Sequence, residues 1–487
     1  MQSTYKLLCN EIVNAESNRK VLPIKVLQIG DGNFIRAFLD WIFYELNNTA
    51  NFQGGIVSIQ STSRGQGNRK LQQQNNLFTV LSRGLVDGEV SEQTTVIDTV
   101  QESINPYEDW PAVLKQMENP ELQFIFSNTT EAGLQYTMEK WSTHTAQNSF
   151  PGKLVQLLFH RFTFFNGEIE RGLYILPLEL VEENGQKLQQ ICMQIAQDWE
   201  LSSEFKKWMI NSCFFCNTLV DRIVPGFPEE SADLFQHYGY KDELLTICEP
   251  YHLFVIEGPE KLQQLIPYKE ANLNIKFEDI KKYRELKVKI LNGIHTILAS
   301  QGLLMDLHTV KEAIEHPVIK PFITQIVEDE LFGHLHREEK EQTIAYMNIV
   351  FERFQNPFIH HKLADIRLNS FSKLKTRIWP SIEQYIEINN KLPKDLMFAM
   401  TIALFGLDPQ RFTVRDSEEN IAILSVFQRE MLTERKLTVM GDLLDKEFGC
   451  PPLQLADMAF QMVSYWENLE QNDLQTLLLK TKGDVKL

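Results

Sequence analysis

Short apolar runs alternate with longer mixed segments in the first half of the chain. From Ile24 to about Glu257 the runs have the length of strands and read IKVLQIG, GIVSIQS, LFTVLSRG, TTVIDTV, LQFIFSN, YILPLEL and HLFVIEG. Strands that alternate with helices predict an α/β fold around a mainly parallel sheet. Asp87–Gly88 lies between two of these runs, a pair that favours a tight turn, and this predicts an additional hairpin beside the sheet.

The second half has a different period. After about Lys281 the apolar residues recur three and four positions apart, as in YRELKVKILNGIHTILASQGLL and LQLADMAFQMVSYWENLEQ, which predicts helices. We therefore expect an α/β domain over residues 1–280 and a mostly helical domain over residues 281–487. No Pro/Gly/Ser-rich linker separates them, so we expect the two domains to pack together with a cleft between them.

Composition narrows the class of protein. The 487 residues include 65 acidic and 48 basic side chains, a formal charge of −17. That charge opposes binding to nucleic acid or to anionic membrane surfaces. No apolar run reaches the roughly 18 residues of a membrane span, and six cysteines in so long a chain do not form a disulfide framework. We expect a globular cytoplasmic protein that acts on a small molecule.

Gly30-Asp31-Gly32 follows the first strand and precedes an amphipathic helix. Glycine permits the tight turn and lets the backbone approach a pyrophosphate, and the helix start offers free N–H groups. This order predicts a dinucleotide site. The usual third glycine is replaced by Ile35, and the second strand ends in Gln60 without the ribose-binding carboxylate.

The segment VLQIGDGNFIRAFLDW resembles the glycine turn of the polyol-specific long-chain dehydrogenases, the family of mannitol dehydrogenases and uronate reductases. SNTTEAG, PGKLVQLLFHRF, NTLVDRIVPG and KVKILNGIHT follow in that family's order and approximate spacing. The resemblance covers nearly the whole chain. It implies a Rossmann-type N-terminal domain, a helical C-terminal domain, NAD as cofactor and no metal.

Two details point to the branch that acts on uronates. The chain has NSFSK at residues 369–373, and it has Leu180 where mannitol dehydrogenases tend to carry an asparagine that contacts the polyol. The resemblance then implies interconversion of D-altronate and D-tagaturonate in galacturonate breakdown. Fructuronate or mannitol as substrate, or a non-catalytic NAD-binding protein, are the alternatives.

The family pattern also implies which residues form the cofactor site. They are the first strand, its turn and the helix start, with one later turn: Val26, Leu27, Gln28, Ile29, Gly30, Asp31, Gly32, Asn33, Phe34, Ile35, Arg36, Ala37, Asn128 and Thr129. The residues of the second strand's end leave the choice between NAD and NADP open, because Arg64, Arg69 and Lys70 follow it and would suit a 2′-phosphate.

Oxidation of a secondary alcohol needs a base for the hydroxyl proton and donors that polarise the nascent carbonyl. At 100° per residue, Lys287, Asn292 and His295 share one face of a helix and meet these needs. Lys289 fits the same face. The family's Lys-x4-Asn-x2-His pattern decides for Lys287 as the base.

A buried substrate carboxylate needs a local cation in so acidic a protein. By family pattern, Lys373 and Arg377 in NSFSKLKTR are the candidates. Asp221 and Arg222 in NTLVDRIVPG are further candidates for the substrate site. An ion pair between them that stabilises the end of the strand is an equally good interpretation.

Other motifs are interpreted as structural. Cys213 and Cys216 have CxxC spacing without a second pair of ligands, so we read them as core rather than zinc ligands. His360–His361 is interpreted as surface. Met397, Met400 and Leu404 recur at helical spacing and are predicted to be core.

Overall fold

A computed structural model describes residues 5–13, 20–407, 414, 416–430 and 432–481. The chain divides into two compact units. The first comprises residues 1–84 and 90–283, and the second comprises residues 85–89 and 284–487. The boundary expected at residue 280 lies at the start of helix Ile280–Leu286, just before the division seen in the structure.

The first unit contains a six-stranded parallel sheet and two three-stranded sheets. The strands are β1 (Ile24–Ile29), β2 (Gly55–Ile59), β3 (Phe78–Val86), β4 (Glu89–Ile97), β5 (Val100–Ile104), β6 (Phe124–Ser127), β7 (Tyr174–Pro177), β8 (Phe214–Phe215), β9 (Asn217–Asp221), β10 (Thr246–Cys248), β11 (Leu253–Glu257) and β12 (Ile275–Lys276).

The large sheet has the order β5-β2-β1-β6-β7-β8 with every pair parallel. This is the doubly wound Rossmann order, in which the chain reverses direction of travel between β1 and β6. Dinucleotides bind at that reversal, outside the carboxyl ends of the strands. The predicted Rossmann-type domain is confirmed.

Both faces of the large sheet are covered, which explains its continuous apolar runs. Along β6, Phe124 and Phe126 belong to one core cluster, and Ile125 between them belongs to the cluster on the opposite face. Val26 and Leu27 divide in the same way on β1. Alternate side chains of one strand therefore stabilise two separate helix layers.

The smaller sheets have the orders β10-β3-β4 and β12-β11-β9. Asp87 and Gly88 join β3 to β4 with φ of +53° and +79°. Two successive positive φ values suit a two-residue hairpin turn, as the Asp-Gly pair predicted. The predicted runs missed β8, β10 and β12, which have only two or three residues, and they reached only the first residue of β5.

Helices of the first unit cover the sheets. They are Asn10–Val13, Asn33–Ile35, Arg36–Asp40, Trp41–Thr49, Gly67–Gln73, Trp110–Gln116, Glu131–Gly133, Phe150–Phe164, Ile169–Arg171, Asn184–Asp198, Ser203–Ser212, Ser231–Tyr238, Glu260–Leu265 and Ile280–Leu286, the last of which crosses the unit boundary.

The second unit is helical, as expected. Its helices are Lys287–Asn292, Gly293–Leu304, Val310–Glu315, Ile319–Gln325, Ile326–Leu331, Arg337–Phe354, Leu363–Ile366, Ser370–Lys373, Leu374–Ile378, Trp379–Asn389, Lys394–Phe405, Glu418–Arg429, Thr433–Leu443, Leu444–Phe448, Pro452–Gln471 and Leu474–Thr481. Helix Lys394–Phe405 is buried all round, so Met397, Met400 and Leu404 lie in the core as predicted.

Three segments that carry predicted site residues are π-helical: Arg36–Asp40, Lys287–Asn292 and Leu374–Ile378. A π turn closes i→i+5 hydrogen bonds and winds more loosely than an α-helix, and such turns are frequent at functional sites. The assumption of 100° per residue therefore fails across Lys287–Asn292. The shared face of Lys287 and His295 cannot be derived from α-helical spacing alone.

Candidate functional site

The glycine turn lies at the reversal point of the large sheet. Gly30 has φ +124°, and its N–H donates to the carbonyl O of Ile59 at 2.9 Å. A Cβ at Gly30 would stand 2.8 Å from the carbonyl O of Asn128. Only glycine fits this conformation and this close approach.

Gly32 is open on its outer side. It has φ −73°, and a Cβ there would have nothing within 4 Å. The N–H groups of the first turn of the following helix have no acceptor within the helix itself, and they favour an anion. The turn can thus accept a pyrophosphate through backbone donors.

A buried carboxylate holds the second segment predicted for the cofactor site, the turn that contains Asn128 and Thr129. Glu179 accepts hydrogen bonds from the Thr129 N–H at 2.8 Å, the Thr129 hydroxyl at 2.9 Å and the Ser127 hydroxyl at 3.0 Å. Burial raises the pKa of Glu179, although these three donors favour its charged form. The turn that contains Asn128 and Thr129 is fixed by a residue that the sequence analysis did not single out. Leu180, next to it, is 63% exposed.

Arg36 points into the protein, where its guanidinium holds the glycine turn. It donates to the Asp31 carbonyl O, to Asn33 Oδ1 at 2.7 Å and to Thr246 Oγ1 at 3.1 Å. Gly226, at φ +99°, leaves room for Asn33, whose Nδ2 would be 2.5 Å from a Cβ there. The asparagine and arginine of the glycine-turn motif and the glycine of NTLVDRIVPG therefore form one structural unit.

Several residues predicted for the cofactor site are internal. Their side chains pack in the core or close to it, so a contact between them and a cofactor would come from their backbone. They are Val26, Leu27, Gln28, Ile29, Ile35 and Ala37, while Phe34 is half-buried and stacks on Phe38. Ile35, which replaces the third glycine, is fully buried.

The end of the second strand carries no carboxylate, as the sequence indicated. Gln60 is buried and donates from Nε2 to the Thr62 carbonyl O at 2.7 Å. Asp31 instead turns toward this region and accepts the Asn68 N–H at 2.9 Å. Arg64 and Arg69 are exposed. A cavity of about 560 Å³ lies beside the turn, and Gly32 and Lys70 are among its lining residues.

Asp221 and Arg222 are each 5% exposed. Arg222 donates to the Ala37 carbonyl O at 2.6 Å and to the Glu249 carbonyl O at 2.9 Å, and it lies 4.3 Å from the centre of the Trp41 ring. These contacts tie the glycine-turn helix to the neighbouring sheet. A direct substrate contact by Arg222 remains a prediction.

The second unit contains the remaining candidates. His295 is 7% exposed and stacks on Phe354 with ring centroids 4.0 Å apart. Its Nε2 is buried, and no partner for it occurs among the described residues. Burial, followed by the positive charges nearby, lowers the pKa of His295 well below its ordinary value, so the ring is neutral at pH 7.

Cationic groups converge on His295. Besides burial, the groups that lower its pKa are His361, Arg353, Arg377 and Lys373. The edge of the His361 ring meets the His295 ring at 5.1 Å between centroids. Burial lowers the pKa of His361 as well, so the positive charge comes from Arg353, Arg377 and Lys373. We call these three residues the cation cluster.

The structure brings Arg377 to the helix that bears Asn292 and His295. Arg377 Nη1 lies 3.3 Å from Thr296 Oγ1 and 3.5 Å from the Asn292 carbonyl O. Lys373 donates from Nζ to the Ile366 carbonyl O. Burial, and then the charge of Arg377, lowers the pKa of Lys373. Residues separated by some 80 positions in sequence are thus adjacent.

Lys289, the other lysine that the sequence offers as a base, is engaged by neighbouring groups. Lys289 bonds to Glu285 and Gln384, lies 5.6 Å from the Phe332 ring centre and has a side chain only 10% exposed. These contacts occupy its ammonium group.

The surface interpretation of His361 is wrong. His360 is exposed, but His361 is half-buried, and its backbone is tied to the Thr309 segment through a Val310 N–H bond to the His361 carbonyl O at 3.0 Å. A lone histidine pair in a sequence does not reveal which ring faces inward. Cys213 and Cys216 are buried in core clusters, as predicted.

The described residues contain no group of three or more His, Cys, Asp or Glu side chains arranged to hold a metal ion. Within the same residues, no helix combines the length and the apolar character that crossing a membrane requires.

Comparisons with known proteins agree with this arrangement. Residues 24–269 match the mannitol dehydrogenase Rossmann domain, and residues 279–419 match the mannitol dehydrogenase C-terminal domain. The chain is 42% identical to an altronate oxidoreductase of Halalkalibacterium halodurans, over 78% of this chain and 74% of that one. It is 38% identical to an altronate oxidoreductase of Bacillus subtilis, over 79% of each chain.

Two solved structures share the fold. A D-sorbitol dehydrogenase in substrate-free form has a TM-score of 0.77 at 18% identity, over 95% of this chain and 96% of that one. The mannitol 2-dehydrogenase of Pseudomonas fluorescens, in a ternary complex with NAD and D-mannitol, has a TM-score of 0.69 at 18% identity, over 99% and 100%.

Proposed function

The chain belongs to the mannitol dehydrogenase family, and we propose that it interconverts D-tagaturonate and D-altronate with NADH and NAD⁺, in galacturonate breakdown. The observation that carries the proposal is the cation cluster around His295 in a protein of charge −17. A neutral polyol would not need such a cluster, whereas a sugar acid brings a carboxylate that must be paired when buried. The names of the relatives support the same substrate.

NAD fits the glycine turn. Gly30 closes the turn, Gly32 leaves its outer side open and the helix start supplies N–H groups for the pyrophosphate. When bound, NAD exchanges a hydride with the carbon that carries the reacting oxygen. Asn128 and Thr129, fixed by Glu179, complete this side of the site.

NADH is the proposed form of the cofactor rather than NADPH. Arg64 and Arg69 are exposed and would remain available to a 2′-phosphate, so the preference rests on family likeness. A kcat/KM with NADPH equal to or above that with NADH would contradict it.

Lys287 transfers the proton at the reacting oxygen. In the reduction it donates a proton to the oxygen of the forming alcohol, and in the reverse direction it removes the hydroxyl proton. Asn292 and His295 donate hydrogen bonds to that oxygen. Because His295 is neutral and its buried Nε2 has no protein partner in the described residues, the ring can present an N–H to the substrate.

Lys373 and Arg377 pair with the substrate carboxylate, and His361 borders the same place. Lys373 uses one of its three N–H donors on the Ile366 carbonyl O, so two can face a ligand. Asp221 and Arg222 rank below Lys373 and Arg377 as substrate-binding residues, because Arg222 already binds two backbone carbonyls.

The binding partner of the protein is a small sugar acid, and we expect it to bind no nucleic acid. We place the reaction in the cytoplasm, since all six cysteines are free thiols, as expected in a reducing compartment.

The decisive experiment is an assay of NADH oxidation with tagaturonate, fructuronate and fructose at equal concentration. We expect the largest kcat/KM with tagaturonate and at most weak activity with fructose. A preference for fructuronate or fructose would assign the chain to another branch of the family. Binding of NADH without turnover of any of the three would favour a non-catalytic protein.

A further inference from the structure

The end of β2 cannot supply the usual ribose contact. In a dinucleotide fold, an acidic side chain that follows the second strand accepts the 2′-hydroxyl of the adenosine ribose. Here Gln60 follows β2, is 2% exposed and donates to the Thr62 carbonyl O. Gly65 packs on the same side chain, since a Cβ there would lie 3.0 Å from Gln60 Cγ. The Gln60 side chain is therefore used within its own loop.

A carboxylate reaches the end of this loop from the glycine turn. Asp31 Oδ2 accepts the Asn68 N–H at 2.9 Å, in the first turn of helix Gly67–Gln73. Gly67 makes room for it, because a Cβ on Gly67 would collide with the Asp31 carboxyl group. The backbone of Asp31 is fixed as well, since Arg36 donates to its carbonyl O. The first turn thus places an acidic group beside the loop that follows the second strand.

Asp31 lines the cavity of about 560 Å³ beside the turn, together with Gly32 and Gly67. The side chain is half-buried. A carboxylate has about four acceptor sites, so the bond from Asn68 leaves capacity for a ligand hydroxyl. A ligand in this cavity would meet the open side of Gly32 and the Asp31 carboxylate together.

The charges that line the cavity differ in their pairing. Glu243 is paired with Lys241 at 2.6 Å, and Lys70 lines the same cavity. Burial raises the pKa of Asp31, while the charge of Arg36 favours its ionised form. An ionised Asp31 attracts a ribose hydroxyl and repels a 2′-phosphate, for which Lys70 would be the available cation.

We propose that Asp31 supplies the carboxylate that binds the adenosine ribose and selects NAD over NADP. This inference rests on the proposed dinucleotide site. Asp31 accepts the 2′-hydroxyl of NAD, and its charge opposes the additional phosphate of NADP. The middle residue of the glycine turn thereby replaces the acidic residue that is missing after β2.

The test measures binding without turnover. The dissociation constants of NADH and NADPH are determined by titration calorimetry for wild type and for Asp31→Asn. The asparagine Oδ1 can still accept the Asn68 N–H, so the substitution removes the charge and keeps the local bond. We expect the preference for NADH over NADPH to fall by about tenfold or more, as for one hydrogen bond to a charged group. An unchanged preference would overturn the proposal, because a purely structural role affects both ligands equally.

Asp109→Asn is the matched control. Asp109 Oδ1 accepts the Ala112 N–H at 3.0 Å at the start of helix Trp110–Gln116, and Asp109 does not line the cavity. This variant loses the same charge from the same kind of helix cap. Both dissociation constants should stay within about twofold of wild type. An equal loss of preference here would mean that net charge alone is responsible and would overturn the assignment.

Two further variants sharpen the result. Asp31→Ser also lacks the charge and should shift the preference in the same direction, so it serves as the test if Asp31→Asn does not fold. Adding Lys70→Met to Asp31→Asn should remove the gain in NADPH binding. A gain that persists would overturn the pairing of Lys70 with the phosphate.

Failure of the proposed function has a different signature. A wild-type protein that binds neither NADH nor NADPH would refute the dinucleotide site itself. A wild-type protein that prefers NADH, with the same preference in Asp31→Asn, would refute only the role of Asp31. A wild-type protein that prefers NADPH would contradict both the proposed cofactor and Asp31 as the residue that selects it.

Discussion

The two candidate regions use opposite means to handle negative charge. In the first unit the glycine turn offers backbone N–H groups, and its cations Arg36 and Arg222 face inward to bind backbone oxygens. In the second unit the charge is carried by side chains that surround His295. Binding of an anion by backbone N–H groups depends on the shape of the turn, whereas binding by side chains depends on their charge. Substitutions in the two regions should therefore fail in different ways.

The largest effect is expected at Lys287. Lys287→Met should lower kcat by about 10² to 10⁴, the usual contribution of general acid–base catalysis, while the NADH dissociation constant stays nearly unchanged. Lys289→Met is the matched control and should be mild, because Lys289 is occupied by Glu285 and Gln384. Steady-state kinetics of both variants measure this. A larger loss in Lys289→Met would reverse the assignment.

The cation cluster should discriminate by substrate charge. Lys373→Met should lower kcat/KM for tagaturonate by about 2 kcal/mol or more, as for a lost charge-assisted hydrogen bond, and change any activity on fructose little. Kinetics on both substrates measure the difference. Equal losses on the acid and the neutral sugar would mean that Lys373 supports the fold through its bond to Ile366.

The glycine turn should respond to shape alone. Gly30→Ala forces a side chain into φ +124° and toward a backbone oxygen 2.8 Å away, so the free energy of unfolding should fall by about 1–3 kcal/mol and NADH binding should weaken. Gly32→Ala has open space and φ −73°, so the free energy of unfolding should change by less than about 0.5 kcal/mol.

The informative contrast between these glycine variants is in binding. Gly32→Ala should still weaken NADH binding, because its Cβ occupies the surface where a pyrophosphate approaches. Denaturant melts and NADH titrations of the two variants separate stability from binding. A Gly32→Ala variant that binds NADH normally would place the cofactor elsewhere.

Metal removal should have the smallest effect. The described residues contain no cluster of metal-ligand side chains, and the proposed proton transfer uses Lys287. We expect full activity after exhaustive chelation and dialysis. A loss that added zinc restores would show that a metal takes part in the reaction.

Local patterns were sufficient for much of the fold. The strand-turn-helix order around Gly30, the Asp87–Gly88 hairpin and the helical second half all follow from spacing of apolar residues and turn chemistry, and the structure contains each of them. The short strands β8, β10 and β12 were missed, because a run of two or three residues has no period. The π turn at Lys287–Asn292 was also missed, since apolar spacing predicts a helix but not its local winding.

The sequence by itself determined the dinucleotide turn and the family, because glycine positions and short motifs are local in the chain. Only the tertiary structure placed His361 against His295, Arg377 beside Thr296 and Glu179 under Thr129. It also turned Arg36 and Arg222 inward, although both stand in motifs that suggested ligand contact. The physical reason is that a side chain's charge state and partners depend on burial and on residues far away in sequence, which no local pattern records.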